Sequence, residues 1–210
     1  AYDGDTDRVL LCDSRGRTLD GDIMLWVIGR WLAKRGMLGA GVTATVMSNM
    51  VLEDLLAEEG IKVFRCPVGD RYVLDTMRRE GGRIGGEQSG HMIFTDYATT
   101  GDGQLSALQF LQILALSGKS ASVLTADCPQ YPQVLLNVVV SHDRGVKEAI
   151  MASDALKTAV ADEEKFLRGE GRILVRPSGT EALIRVMVEA KTESVAQLVA
   201  ERLVKVIRSV

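Results

Sequence analysis

From Val9 onward, short runs of apolar and β-branched residues alternate with longer stretches in helical period, and this alternation commits the chain to a layered α/β fold. Residues 9–12 predict a short buried strand, ended by the turn signal Asp13-Ser14-Arg15-Gly16. Asp22 is placed to cap a helix that runs through Trp26, Ile28, Leu32 and Lys34 to a stop at Gly36. Residues 42–47 predict a second strand. Ser48 or Asn49 then caps a helix carrying Val51, Leu52, Leu55 and Leu56 and ending near Gly60. A strand over 61–66 follows, then a helix capped by Asp70 with Tyr72, Val73 and Met77 turned inward. Glycines among strand formers over 83–94 indicate a tight turn or backbone pressed against a ligand. Thr100-Gly101-Asp102-Gly103 leads into an apolar helix from about 104 to 117, stopped by Gly118.

The rhythm changes after Gly118. Pro129 and Pro132 mark a linker over 119–132. Beyond it the pattern predicts a strand at 134–140, a helix from about 145 to 160, strands at 172–176 and 183–190, and a helix at 193–208. That last helix carries Val195, Leu198, Val199, Leu203, Val206 and Ile207 on one face. The order β-α-β-β-α predicts a smaller α+β sheet covered on one side. The chain of 210 residues is long enough to bury a core without disulfide or metal staples.

Charge and cysteine usage exclude several classes of partner. Lys and Arg number 25 against 28 Asp and Glu, a net charge of −3, which argues against nucleic acid held through its phosphates. No run of apolar residues reaches membrane-spanning length, so no membrane is expected. The three cysteines, Cys12, Cys66 and Cys128, share no CxxC spacing, and an odd count fits a reducing compartment; Cys12 and Cys66 are expected buried. The N-terminus lacks a secretory signal, which makes the cytoplasm the expected location. The chain also opens almost directly on its most charged short motif without an initiator methionine, which predicts a truncated protein whose function needs residues absent here.

Three constellations carry chemistry. Asp3, Asp5 and Asp7 alternate with Gly4 and Thr6, and their mutual repulsion calls for a counter-charge. Mg²⁺ suits such oxygen ligands, and a solvated acidic terminus is the other reading. An EF-hand is excluded, because Arg8 and Ser14 stand where its glycine and final glutamate belong. Arg8 is placed to hold a phosphate or to neutralise an aspartate. Second, Gly86-Glu87-Gln88-Ser89-Gly90-His91 packs a carboxylate, an amide and a hydroxyl between glycines, which suits a polyhydroxylated ligand. A hairpin with a satisfied histidine is the other reading; His91 is a candidate acid or base, and His142 reads as structural. Third, Arg176-Pro177-Ser178-Gly179-Thr180-Glu181 with Arg185 joins guanidinium groups, hydroxyls and a glycine turn in the manner of a phosphate nest, or forms a plain inter-strand loop. No P-loop is present, and Asp70-Arg71-Tyr72 is a weaker signal. A metal, a hydroxyl-reading loop and a phosphate grip together point to a phosphosugar, yet no nucleophile has the partners it needs.

In their order, these three motifs resemble the C-terminal part of the α-D-phosphohexomutase family. The resemblance implies that residues 1–8 end a second domain with its metal loop. Residues 9–118 would form a mixed-sheet α/β third, sugar-binding domain, 119–132 a linker, and 133–210 a phosphate-binding fourth domain of TATA-binding-protein-like topology. It further implies Mg²⁺ on Asp3, Asp5 and Asp7, and catalytic roles for Arg8, beside the transferred phosphoryl group, and His91. Glu87 and Ser89 would read sugar hydroxyls, and Arg176, Ser178, Gly179, Thr180 and Arg185 would clamp the non-reacting phosphate. The family's phosphoserine lies in N-terminal domains that this chain lacks, so the chain alone is expected to be inactive. Gln88 resembles the residue of members that handle a phosphorylated amino sugar. The implied reaction is therefore interconversion of glucosamine 6-phosphate and glucosamine 1-phosphate through a bisphosphate, feeding UDP-N-acetylglucosamine and cell-wall synthesis. A homodimer is also compatible. Thr6 stands where alanine is common and Ala182 where proline is common. The competing readings are a phosphoglucomutase or phosphomannomutase, a non-catalytic phosphosugar-binding module, and an interaction domain exposed by truncation.

Overall fold

The computed structural model describes residues 1–141, 143–179 and 181–210, and these divide into two compact units, Ala1–Pro129 and Gln130–Val210. Among the described residues no helix is long and apolar enough to cross a membrane.

The first unit is built on a four-stranded mixed sheet. Strand β3 (Val42–Thr45) lies parallel to β4 (Val63–Cys66) on one side and to β5 (Ile84–Gly86) on the other, and β6 (Met92–Phe94) closes the edge antiparallel to β5. All four β3 residues are buried, as expected of a central parallel strand covered on both faces. Helices α1 (Gly21–Ala33), α2 (Val51–Ala57) and α4 (Gly103–Ser117) bury Ile23, Ile28, Leu52, Leu56 and Phe110 in one core with Val42, Ile84 and Met92. Helix α3 (Asp70–Glu80) packs Val73 and Met77 with Cys66 and Ile93 in a separate small core. A two-stranded hairpin, β1 (Leu11–Cys12) with β2 (Thr18–Leu19), flanks this layer around the expected 13–16 turn.

Several local expectations give way to packing. Asp20, not Asp22, caps α1, accepting from Ile23 N at 3.1 Å. Asp22 turns inward, because the first helical turn faces the loop after β3. Tyr72 points outward at 49% exposure while Val73 beside it fills the core. Cys12 is exposed, because β1 belongs to the flanking hairpin rather than the sheet. Cys66 and Cys128 are buried, and burial pushes their thiols up to about 11 and about 12. Much of the segment expected as a linker lies within the first unit. There it forms α5 (Ala121–Leu124), and the Arg17 guanidinium donates to the carbonyls of Thr125 and Cys128 at 3.1 and 2.9 Å.

The second unit is a three-stranded antiparallel sheet. Strand β9 (Leu183–Ala190) runs between β7 (Gln133–Val139) and β8 (Gly171–Pro177). Val138, Ile184, Val186 and Val188 form a core with Val199, Leu203 and Ile207 of α8 (Glu193–Ser209). Leu198, expected on that face, is instead 41% exposed, and Ala196 and Ala200 are buried in the stripe. The helix expected at 145–160 is two helices, α6 (Arg144–Ala152) and α7 (Asp154–Leu167). Ser153 separates them in an extended conformation, its hydroxyl donating to Ile150 O and accepting from Leu156 N.

Asp22 offers a test of this packing. Its carboxyl is 2% exposed, accepts from Asn49 N at 2.7 Å, and is pushed up to about 7, chiefly by burial. The folded chain therefore binds this proton more tightly than the unfolded chain, so the contribution to stability is full below about pH 4 and lost as pH rises to about 7. Asp22→Asn should flatten that fall: compared by urea unfolding at pH 4.5 and 7.5, the parent should lose more stability than the variant. Equal losses would contradict the assignment.

Candidate functional site

The parallel strands β3, β4 and β5 end along one edge, and the loops that leave their carboxyl ends form the candidate site of the first unit. The turn 87–91 follows β5. Gly90 N donates to Glu87 O at 3.0 Å, and Glu87 N to His91 O at 2.9 Å. Gly90 adopts φ +89, and a Cβ there would lie 2.1 Å from Val9 O, so only glycine fits. The start of α1 braces the same turn, with Gly21 N donating to Gln88 O at 3.0 Å. The Glu87 carboxylate accepts from Gly69 N, after β4, at 3.1 Å and from Ser89 Oγ at 3.4 Å. Glu87 and Ser89 thus share a polar cluster at the strand ends, beside the start of α3.

The acidic triplet is joined to this turn. Arg8 and His91 form an antiparallel bridge, and Val9 N donates to Gly90 O at 3.3 Å. Asp3, Asp5 and Asp7 each offer a carboxylate oxygen, all within 4.8 Å of one another. Arg8 supplies the adjacent positive charge: its Nε lies 3.8 Å from Asp3 and 3.7 Å from Asp7, and its backbone N–H donates to Asp3 at 3.3 Å. Asp7 Oδ1 is nevertheless buried with no hydrogen-bond partner, while Asp7 Oδ2 lies 3.0 Å from His91 Nδ1. Thr6 holds φ +62, a conformation that costs a β-branched residue about 1–3 kcal/mol and persists only where its surroundings impose it. Here Gly103 N, in the first turn of α4, donates to Thr6 O at 3.1 Å.

The third constellation is in the second unit. Arg176 of β8 and Arg185 of β9 are directly opposed in register. Like charges at such positions repel. Glu181 relieves one of them, its carboxylate 2.7 Å from Arg185. Arg176 has no charged partner among the described residues. Ser178 is 4% exposed, its N–H donating to Leu183 O and its hydroxyl accepting from Glu181 N. Thr180 and His142 lie outside the described residues.

Sequence reasoning missed Lys147. From α6 its ammonium donates to the carbonyls of Ser178 and Glu181, both at 3.1 Å, and fixes the loop between β8 and β9. No local motif marks it, because only the fold brings α6 to a loop more than 30 residues away. The contact of Gly69 N with Glu87 was missed for the same reason.

Residues 20–131 match the family described as phosphoglucomutase/phosphomannomutase, alpha/beta/alpha domain III, and residues 135–206 match phosphoglucomutase/phosphomannomutase, C-terminal domain. Phosphoglucosamine mutase of Carboxydothermus hydrogenoformans is 50% identical over 208 residues, covering 99% of this chain and 46% of that protein. Phosphoglucosamine mutase of Bacillus subtilis is 45% identical over 210 residues, covering 100% and 46%. The chain spans about half the length of the curated relatives it matches. Among solved structures, N-acetylphosphoglucosamine mutase of Aspergillus fumigatus superposes with a TM-score of 0.82 at 22% identity, over 99% of this chain and 47% of that one. A Burkholderia thailandensis phosphoglucomutase/phosphomannomutase family protein gives 0.77 at 20% identity, over 100% and 46%. At these identities the likeness to solved structures is one of fold.

The opposed arginines generate a prediction. With no anion bound, Arg176→Gln should stabilise the chain by about 0.2–1 kcal/mol in low-salt urea unfolding, because repulsion across β8 and β9 is removed. The gain should shrink in 1 M NaCl. A loss of stability in low salt would show that the pair is not repulsive.

Proposed function

Because the chain belongs to the phosphoglucomutase/phosphomannomutase family, we propose that it is the sugar- and phosphate-binding half of a phosphoglucosamine mutase. The observation that carries the reading is the joining of the acidic triplet to the 86–91 turn through Arg8 and His91. The amino-sugar preference rests on Gln88 and on the 44–50% identity to bacterial relatives of that name. The proposed reaction of the whole protein interconverts glucosamine 6-phosphate and glucosamine 1-phosphate through a bisphosphate. Its phosphoserine would come from the half of the relatives that this chain does not span, so the chain alone would not turn over substrate. We place the first and second units, which carry the matches over 20–131 and 135–206, as the third and fourth family domains. The TATA-binding-protein-like topology belongs to this reading of the second unit, supported by its three-stranded sheet with a helix-covered core.

The donor set fits Mg²⁺. Three carboxylates converge within 4.8 Å, and the buried Asp7 Oδ1 has no hydrogen-bond partner, which suits a hard cation with oxygen ligands. When bound on Asp3, Asp5 and Asp7, Mg²⁺ would stabilise negative charge on a transferring phosphoryl group. Arg8 holds the triplet's excess charge in the free chain and would turn its exposed guanidinium to the phosphoryl oxygens. Glu87 accepts and Ser89 donates or accepts toward sugar hydroxyls. Their present hydrogen bond, at 3.4 Å, is long enough to exchange readily for one to ligand.

Arg176 and Arg185 would clamp the non-reacting phosphate with Ser178, Gly179 and Thr180. A dianion there offsets the repulsion of the opposed guanidinium groups. No described atom lies within 4 Å of a Cβ built on Gly179, so the loop backbone there is open to close approach of a ligand.

An amide NMR titration of the chain with glucosamine 6-phosphate, with and without Mg²⁺, tests this reading. Saturable shifts are expected over residues 86–91 and 176–185, the latter lost in Arg185→Gln. No shifts at millimolar ligand would overturn the phosphosugar reading of these loops, and equal response to glucose 6-phosphate would overturn the role of Gln88.

A further inference from the structure

We propose that His91 is a positioning residue for Asp7, seated by the Thr100-Gly101-Asp102-Gly103 turn. The proposal rests on the reading of Asp3, Asp5 and Asp7 as cation ligands. His91 is 5% exposed. One ring nitrogen, Nδ1, lies 3.0 Å from Asp7 Oδ2. The other, Nε2, is buried and meets no hydrogen-bond partner. An imidazole that donates Nδ1–H to a ligating carboxylate fixes which oxygen of that carboxylate stays free. With Oδ2 engaged, Asp7 Oδ1 remains the oxygen without a hydrogen bond, held only by the looser approach of Arg8 Nε at 3.7 Å.

The 100–103 turn supplies the seat. A Cβ on Gly101 would stand 2.3 Å from both His91 Cε1 and Nε2, so bare backbone covers the ring and any side chain would displace it. A Cβ on Gly103 would stand 2.6 Å from Arg8 O and 2.7 Å from Thr6 O, so the turn also lies directly against the backbone of the acidic loop. Between the two glycines, Asp102 N donates to Met92 O at 3.4 Å, and its side chain caps the 15-residue helix α4 through Leu105 N at 2.9 Å. The turn is therefore anchored to β6 and α4, and two of its residues press on the histidine and on the loop that the histidine orients. The geometry explains why glycines stand on both sides of the cap residue Asp102, in a motif that otherwise reads only as a helix start.

The test uses Mn²⁺ as the probe, with binding to the 210-residue chain followed by electron paramagnetic resonance. His91→Leu keeps the volume and removes the donor, and should weaken Mn²⁺ binding by about 10- to 100-fold. His91→Asn places an amide N–H near the position of Nδ1 and should recover most of that loss. Gly101→Ala should weaken binding with His91 still present. Unchanged affinity in His91→Leu overturns the positioning role alone, and so does an equal loss in His91→Leu and His91→Asn. A parent chain that does not bind Mn²⁺ overturns the cation reading and this proposal with it. Should His91→Leu fail to fold, ¹⁵N NMR of the parent imidazole decides: Nδ1 carrying the proton is expected, and a bare Nδ1 overturns the proposal.

Discussion

The bridge between Arg8 and His91 is the constraint on which the first unit's site depends. It joins two segments more than 80 residues apart, one carrying three carboxylates and the other the Glu87-Gln88-Ser89 turn. Neither segment has regular structure of its own to hold it. The acidic loop has no strand at 3–7, and the turn is only the connection between β5 and β6. Each is fixed by what it presses against: Val9 and Gly21 on the turn, Gly103 on the loop. The sheet's contribution is indirect. Parallel strands deliver three loops to one edge, and α1 and α4 begin there, so their first turns serve as abutments.

The framework of the fold was legible in the sequence because it follows from periodicity. Strands β3, β4 and β9 and helices α3, α4 and α8 fall within a few residues of where apolar spacing puts them. What was not legible depended on choices between equivalent local signals. Asp22 reads as the helix cap, but burial of the first turn against the 48–49 loop turns it inward and leaves the cap to Asp20. A helix pattern ran continuously over 145–160, yet Ser153 breaks it by capping the helix that follows. Tyr72 and Val73 compete for one inward position, and the smaller residue takes it against the sheet. In the site, motif residues were identifiable by type. Their partners were not: Lys147 and Gly69 contribute through contacts that span the fold and leave no trace in local sequence.

Several departures from local rules fall in the candidate sites, although Arg168 at φ +50 and the buried Asp22 lie outside them. Much of the remaining chain is orthodox, with alternating burial along β7 and an apolar stripe on the capped α8. At the sites, three carboxylates crowd within 4.8 Å, a threonine holds φ +62, and two arginines oppose each other across paired strands. Each feature costs stability in the free chain. A sequence selected for folding alone has no reason to retain them, and their concentration in these loops argues for ligands that offset the cost.

The two units answer opposite electrostatic needs. The first gathers negative charge with one arginine against it, which leaves a deficit that a cation would offset. The second gathers positive charge with one glutamate against it, which leaves an excess that an anion would offset. In both, the single counter-charged residue is adjacent in sequence or within the same loop, and its side chain remains partly exposed. Arg8 and Glu181 each balance part of the charge gathered beside them and are exposed enough that a ligand of like charge would displace them at low cost. A fully buried counter-ion would have locked the site in its empty state, because removing one partner of a buried pair costs far more than exchanging an exposed one. Partial exposure keeps the cost of exchange low, so most of the attraction between site and ligand remains available for binding.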